Sequence, residues 1–386
     1  MYKKVTIKPQ REASLQRFHP WIFSGSIHSV EKGTKNGDAV ILINVKGEKL
    51  AVGHYFEGSI AVRVLSFDGD QTIEDILKDK LERAYNYRRQ LGLVDNPNTN
   101  LYRLIHAEGD GLPGLIIDIY GHTAVIQCHT VGMYQHLICI EEVLVGLYGS
   151  EINIFDKSSD LIQEAKEKNY IRGSYQRENW VENGYQFDID WEKGQKTGFF
   201  IDQRNNRKAL QANCRGKKVM NLFSYSGGFS IYAQAAGAAK VVSVDASASA
   251  NEICKRNFKL NFNTEHEAIT ADALDYMKDM SQEFDVIILD PPAFAKHLSA
   301  KHKAIQAYKR INLQAMRHIQ KGGILFTFSC SQVIDALTFR DTVVAAGIES
   351  GRTIRIVHQL SQPEDHPINL FHPESNYLKG LVLYIE

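Results

Sequence analysis

The feature that most restricts the fold is an alternation in the second half of the chain. From about residue 217, "KKVMNLF" is followed by "GGFSIYAQAAG", "AKVVSVD" by "ASANEICKRNFKLN", "EAITAD" by "ALDYMKDM" and "FDVIILD" by "AYKRINLQAMRHI", and then comes "GILFTFS". Short Val/Ile-rich runs between helical segments predict a mostly parallel sheet covered on both faces, since parallel strands need crossover connections and, once covered, read as near-continuous apolar runs. In such sheets ligands bind beyond the C-terminal ends of the strands. Those ends carry "SYSGG" (224–228), Asp245, Asp272, "DPPAF" (290–294) and "SCS" (329–331).

The first half has a different pattern. "DAVILINVKGEKLAVGHYF" alternates apolar and polar residues around a "KGE" turn, and "SIAVRVLSF" is a further strand, so residues 1–72 predict a small antiparallel β-domain. A helix follows over "IEDILKDKLERAYNYRRQLGL", with Thr72 as N-cap and Asp75 three residues on. Strand patterns return in "LYRLIHAEGDGLPGLIIDIYGHTAVIQCHT", followed by a helix at "QHLICIEEVLVGLY" and strands near Asn153 and Tyr185. Residues 73–185 are therefore an α+β middle domain, and 186–386 the α/β domain.

Composition narrows the class rather than the chemistry. A chain of 386 residues suits two or three domains, and 44% apolar with 23% charged residues is ordinary for a soluble globular protein. Lys+Arg and Asp+Glu each number 45, so no global charge draws the chain to nucleic acid or membrane. Residues 1–72 hold ten basic and seven acidic side chains, a slight basic bias. "MYKKVTIKPQREASLQ" has no signal-peptide core, and no segment approaches ~18 consecutive apolar residues. Five dispersed cysteines without C-x-x-C spacing suit a reducing cytoplasm and give no zinc pattern. The 14 histidines form no metal-ligand pair, so no metal is expected.

At the strand ends, Gly227 and Gly228 permit a tight turn into a helix N-terminus whose backbone can approach a ligand. Asp245 can accept both hydroxyls of a ribose, or can cap the helix after it; Asp272 can bond an adenine amine, or cap in its turn. The turn is neither G-x-G-x-x-G nor a P-loop, which disfavours a dinucleotide or a triphosphate. Asp290 is delivered by an apolar strand to the sheet edge, with Pro291 and Pro292 fixing the backbone after it. Cys330 stands at the tip of the following strand, where a small core thiol and a nucleophile are the alternatives. Ser329 and Ser331 make that strand end polar and favour the nucleophile, with the serines as a polar rim. "HPWIF" (19–23), with Lys8, Arg11, Arg17 and Phe18 nearby, could meet RNA; Trp21 and Phe23 read more simply as core. "YNYRRQ" (85–90) reads as the solvated side of a helix, and "GDGLPG" as turn chemistry.

A glycine turn, a ribose-binding acid and an Asp-Pro-Pro-aromatic strand end resemble the class I S-adenosylmethionine-dependent methyltransferases. That fold is a Rossmann-like seven-stranded sheet, whose closing antiparallel hairpin "RTIRIVHQL" and "LKGLVLYIE" would supply. "HPWIFSGSI" (19–27), "RLIHAEGDGLPGLIIDIYG" (103–121), "QKTGFFIDQRNNR" (195–207) and "DHPINLFHPESNYLKGLVL" (365–383) further resemble segments of the bacterial 23S ribosomal RNA cytosine-C5 methyltransferases, which carry a PUA-type RNA-binding domain and a central domain before the catalytic one. The resemblance implies S-adenosyl-L-methionine as cofactor, bound by Phe223, Ser224, Tyr225, Ser226, Gly227, Gly228, Asp245, Ala246, Ser247, Asp272, Ala273, Gln203 and Asp290. It implies that Cys330 attacks C6 of a flipped-out cytosine while Asp290 bonds the ring, and that Pro291, Pro292, Phe294, Arg204 and Lys296 contact the substrate. Better-known RNA cytosine methyltransferases carry a second cysteine in the Asp-Pro-Pro motif; this chain does not, so release of product needs another group. The base that removes the C5 proton is unassigned.

The resulting expectation is a cytoplasmic enzyme acting on 23S ribosomal RNA, without membrane or metal, and with a homodimer left open. Two rivals stand beside it. One is an exocyclic-amine methyltransferase that uses "DPPAF" with Cys330 merely structural; the other is a non-catalytic RNA-binding assembly protein.

Overall fold

A computed structural model describes residues 2–278, 284–295 and 297–386. The chain forms two compact units. The first comprises 1–184, 189–201 and 364–375; the second comprises 185–188, 202–363 and 376–386. The stretch 189–201, expected with the α/β domain, groups with the first unit, as does all of "DHPINLFHPES" (365–375). Among the described residues, no helix is long and apolar enough to cross a membrane.

The first unit holds two sheets. In the six-stranded sheet, Ala39–Ile43 and Lys49–Tyr55 pair antiparallel around the "KGE" turn, and Ile60–Ser66 follows antiparallel. The antiparallel expectation fails at one place, where Lys3–Ile7 runs parallel to Ala39–Ile43. The alternating residues Val5, Ile7, Val40, Leu42, Val62 and Val64 form one core. The five-stranded sheet contains Leu101–His106, Leu115–Tyr120 and Thr123–Cys128, with Asn153–Asp156 beside the last. Helices Ile73–Gln90 and Leu137–Tyr148 supply Ile76, Leu77, Leu81, Ile140 and Leu144 to its core. Thr72 caps the first helix, its hydroxyl accepting from Asp75 N at 3.1 Å, and Glu74 and Arg89 sit at the ends that complement the helix dipole.

Two readings of this region need correction. Arg88 of "YNYRRQ" is fully buried, not solvated: it donates to both oxygens of Asp110, to Arg103 O at 2.9 Å and to Asp365 O at 2.7 Å. The Asp in "GDGLPG" is therefore an ion-pair partner as well as part of a turn. Phe23 is exposed and Trp21 half-buried, so of "WIF" only Ile22 is fully core.

The second unit is built on a seven-stranded sheet: β1 (Lys218–Leu222), β2 (Lys240–Asp245), β3 (Glu267–Thr270), β4 (Val286–Leu289), β5 (Gly323–Ser329), β6 (Ile354–Leu360) and β7 (Lys379–Ile385). The spatial order is β3-β2-β1-β4-β5-β7-β6. The first five strands are parallel, and β7 lies antiparallel between β5 and β6, as the expected hairpin requires. The strands sit among helices α1 (Gly228–Ala235), α2 (Ala248–Phe262), α3 (Ala273–Lys278), α4 (Lys301–His318) and α5 (Ala336–Ser350). Met220, Leu222, Val244, Ile287, Leu289 and Leu325 are among the strand residues of the core, with Leu381, Leu383 and Ile385 from β7. Helix α5 was not anticipated, because its apolar residues spread around the cylinder: Leu337, Val344 and Ile348 are exposed while Phe339 and Val343 are buried.

Candidate active site at the strand ends of the second unit

The chain leaves β1 and enters α1 through Phe223, Ser224, Tyr225, Ser226 and Gly227. Phe223, Tyr225 and Gly227 have positive φ, at 60°, 46° and 80°. Such angles cost an L-residue on the order of 1 kcal/mol and glycine almost nothing. Bonds from Ser224 N to Val244 O (3.1 Å) and from Gly227 N to Ser224 O (2.8 Å) hold the turn. Tyr225 N donates to Asp245 Oδ2 at 2.9 Å, which ties the turn to the end of β2. The Ser224 hydroxyl is buried without a partner among the described residues, an arrangement that a polar ligand would complete.

Asp245 and Asp272 resolve differently. The cap of α2 is Ser247, whose hydroxyl accepts from Ala250 N at 3.3 Å, so Asp245 is not spent as a cap. Its second oxygen takes Ser247 N at 2.8 Å, and a carboxylate oxygen that accepts one bond can accept another. Asp272 caps α3: its Oδ1 accepts from Leu274 N (2.8 Å) and Asp275 N (3.0 Å), and the residue is exposed. Ala246 is exposed beside Asp245, and Ala273 is buried in the first turn of α3.

Across the sheet, Asp290 follows β4. Gln203 Nε2 donates to Asp290 Oδ1 at 2.9 Å, while Gln203 Oε1 accepts from Asn206 Nδ2 at 2.6 Å. The second bond fixes which way the Gln203 amide points, so Asp290 meets its donor end. Arg204 is buried and opens the helix Arg204–Leu210. Pro291 is buried, Pro292 exposed and Phe294 half-buried, with its ring 4.7 Å from that of Tyr308. Lys296 lies outside the described residues.

Cys330 follows β5 and is half-buried, with its sulfur 3.9 Å from Pro291 O. The thiol and the Asp-Pro-Pro turn, 39 residues apart in sequence, therefore stand together at the ends of neighbouring strands. The serines are not a rim. Both are buried, and Ser331 Oγ donates to Ala295 O at 2.7 Å, bracing the Asp-Pro-Pro loop against the strand tip.

Comparison with known proteins decides the family. Residues 168–379 match the model of S-adenosylmethionine-dependent methyltransferases, and residues 5–67 match that of a PUA-like domain. The chain belongs to the S-adenosylmethionine-dependent methyltransferase family. The methyltransferase is 38% identical to ribosomal RNA large subunit methyltransferase I of Shewanella frigidimarina (strain NCIMB 400), over 98% of each chain. It is 34% identical to the protein of that name in Escherichia coli O9:H4 (strain HS), again over 98% of each. A S-adenosylmethionine-dependent methyltransferase of Streptococcus mutans shares the fold, with a TM-score of 0.84 over 99% of both chains at 21% identity. A second such structure, at the same score, is a complex with S-adenosylhomocysteine. S-adenosylmethionine is thus the cofactor of this methyltransferase.

Two groups of the methyltransferase escaped the sequence reading. Tyr308, on α4, is buried against Phe294, interacts electrostatically with Cys330 and Asp290, and has its phenol pushed up to about 12, chiefly by burial. Lys379, the first residue of β7, donates from Nζ to Ser331 O (2.6 Å) and Tyr377 O (2.7 Å). Burial brings its ammonium down to about 8, against the opposing pull of Cys330 and Asp335. Neither residue lies at the C-terminal end of a strand, where Asp245, Asp290 and Cys330 stand.

Proposed function

We propose that this methyltransferase places a methyl group on C5 of a cytosine in large-subunit (23S) ribosomal RNA through a covalent bond between Cys330 and C6. The observation that carries the reading is the thiol of Cys330 beside the backbone of Pro291. An exocyclic-amine methyltransferase needs the Asp-Pro-Pro-aromatic turn but no thiol there. Of the other four cysteines, Cys128, Cys214 and Cys254 are buried with thiols pushed up to about 12 by burial, which leaves them inert.

The turn 223–228, with Ala246, Ser247 and Ala273 beside its acids, holds the cofactor in this reading. The Ser224 hydroxyl meets a polar group, Asp245 the ribose, and the free oxygen of Asp272 the adenine. When bound, the cofactor supplies an electrophilic methyl carried on a sulfonium. The base leaves its stack and enters beside Pro291, Pro292 and Phe294, with Arg204 and Lys296 as the further substrate contacts that the family resemblance implies. Asp290, oriented by Gln203, bonds its polar edge. The Cys330 thiolate adds to C6, and the electron pair of the C5–C6 double bond moves to C5, which takes the methyl. Loss of the C5 proton restores the double bond and expels the thiolate.

Ribosomal RNA as substrate is supported by the names of the relatives and by the face of the PUA-like domain. There Phe18 and Phe23 are exposed for stacking, and Lys8, Arg11 and Arg17 are exposed for phosphate. The reading carries with it a cytoplasmic location and a three-part division of the sequence at 1–72, 73–185 and 186–386, with 189–201 and 364–375 grouping with the first unit.

Incubation with labelled S-adenosylmethionine and ribosomal RNA, followed by nucleoside analysis, tests it. The expected product is 5-methylcytosine, and Cys330→Ala should bind cofactor but transfer nothing. N4-methylcytosine or N6-methyladenine, made equally well by Cys330→Ala, would replace the reading with the exocyclic-amine alternative.

A further inference from the structure

The nucleophile proposed above must be a thiolate, and a free cysteine near pH 7 is mostly thiol. Tyr308, which interacts with Cys330 from α4, gives it no positive charge. A cation that interacts with it comes from β7. Lys379 stands directly opposite Ser329 in the β5–β7 ladder, and its Nζ reaches past Cys330 to the carbonyl of Ser331. The ammonium therefore brackets the thiol residue, paired with the neighbour on one side and bonded to the neighbour on the other.

Its surroundings lack a matching anion. Lys379 is 7% exposed, and its two hydrogen bonds go to neutral carbonyls. Among the described residues no carboxylate lies within ion-pair distance of it; Asp335, before α5, interacts only at longer range. Burying an ammonium is costly unless an opposite charge compensates. A protonated amine has three donors, and two are used.

We propose that Lys379 is the positioning residue that holds Cys330 as a thiolate, its ammonium supplying the charge that the anionic sulfur needs. The thiol gives its proton to solvent, and the ammonium keeps its own. The proposal rests on Cys330 being the nucleophile. At neutral pH the amine, lowered by burial to about 8, is still mostly charged, and above that value its hold on the sulfur fades.

The test uses the full-length protein without RNA. The rate of Cys330 alkylation by iodoacetamide is followed by mass spectrometry of its peptide over about pH 6 to 10. In the wild type the midpoint should lie below the free-thiol value of about 8.5. An opposite charge at close range moves a pKa by about 1 to 3 units, so Lys379→Met should raise the midpoint by at least about one unit and slow alkylation at neutral pH roughly tenfold. Lys379→Arg, which keeps the charge, should restore the low midpoint. A wild-type midpoint at or above about 8.5, or one unmoved in Lys379→Met, would overturn the proposal. Should Lys379→Met fail to fold, the wild-type midpoint alone decides. Methyl transfer by Cys330→Ala would instead remove the nucleophile reading, and the alkylation profile would stand regardless.

Discussion

Replacing Gly227 by alanine probes the turn between β1 and α1 in two separable ways. At φ 80° the backbone is left-handed, which costs an L-residue about 1–2 kcal/mol. The new Cβ would also overlap the sulfur of Cys254 and stand 3.3 Å from its Cβ, so α2 or the turn has to move. Overpacking of this kind costs about 1–3 kcal/mol. Together the expected loss is about 2–5 kcal/mol, or a fall of roughly 4–20 °C in Tm for a unit of this size. Cys254→Ala separates the two contributions. Alone, it leaves a small cavity at a fully buried site and costs about 1 kcal/mol. Combined with Gly227→Ala, it removes the clash but not the backbone strain, so the double variant should be more stable than the sum of the singles by about 1–3 kcal/mol. Thermal unfolding of the four proteins measures this, and calorimetric titration with S-adenosylhomocysteine reports whether the turn still binds. An unchanged Tm in Gly227→Ala, or strictly additive singles, would refute the packing described for this turn.

Ser224→Ala should leave the ligand-free protein as stable as before, because its buried hydroxyl has no partner among the described residues to lose, yet weaken cofactor binding about 2- to 10-fold by calorimetry. Arg88→Met strands the buried Asp110 carboxylate and should cost about 3–5 kcal/mol, read from the urea midpoint of the first unit. His54 is held neutral by burial, down to about 3, whereas in the unfolded chain it titrates near 6.5. The unfolded state therefore binds the extra proton between these values, and stability falls as pH drops through that window. From about pH 7 to pH 5 the loss is about 2 kcal/mol, and His54→Phe should abolish that component of the urea-midpoint shift.

How much of this was legible in the sequence depended on whether one segment sufficed to set the outcome. Strands β1, β2, β4 and β5 were legible because a parallel strand covered on both faces is largely apolar, as in "VVSV" or "VIIL"; β3, "EAIT", is an edge strand with both end residues exposed and was placed by the alternation alone. Of the closing hairpin, β7 was legible as an apolar, buried run, whereas β6 is an antiparallel edge strand with residues 355–359 exposed. Asp245 could not be told from a cap until Ser247 was seen to occupy that place, whereas Asp272, with the same local pattern, proved to be the cap. Arg88 looked solvated because its partners, Asp110 and the backbone of Arg103 and Asp365, lie 22, 15 and 277 residues away. The serines flanking Cys330 looked like a rim because nothing local reveals the carbonyl of Ala295, 36 residues back, that Ser331 reaches.

Lys379 was missed for a topological reason that also explains its position. Where strands run parallel, every C-terminal end faces one edge, and a search for site residues at strand ends finds Asp245, Asp290 and Cys330. Strand β7 runs the other way, so the residue it brings to that edge is its first. Only position 379 can serve there. Gly380 cannot carry a side chain, since a Cβ would run into the ring of Phe328, and Leu381, the next residue on the face of Lys379, lies about 6–7 Å further from the edge and is buried in the core. The reversal of one strand thus sets an ammonium among the C-terminal ends of parallel neighbours, beside the thiol that "SCS" delivers. If Lys379 holds the thiolate as proposed, a site with a single cysteine obtains its charged partner from the strand order itself, with no second motif in the sequence to announce it.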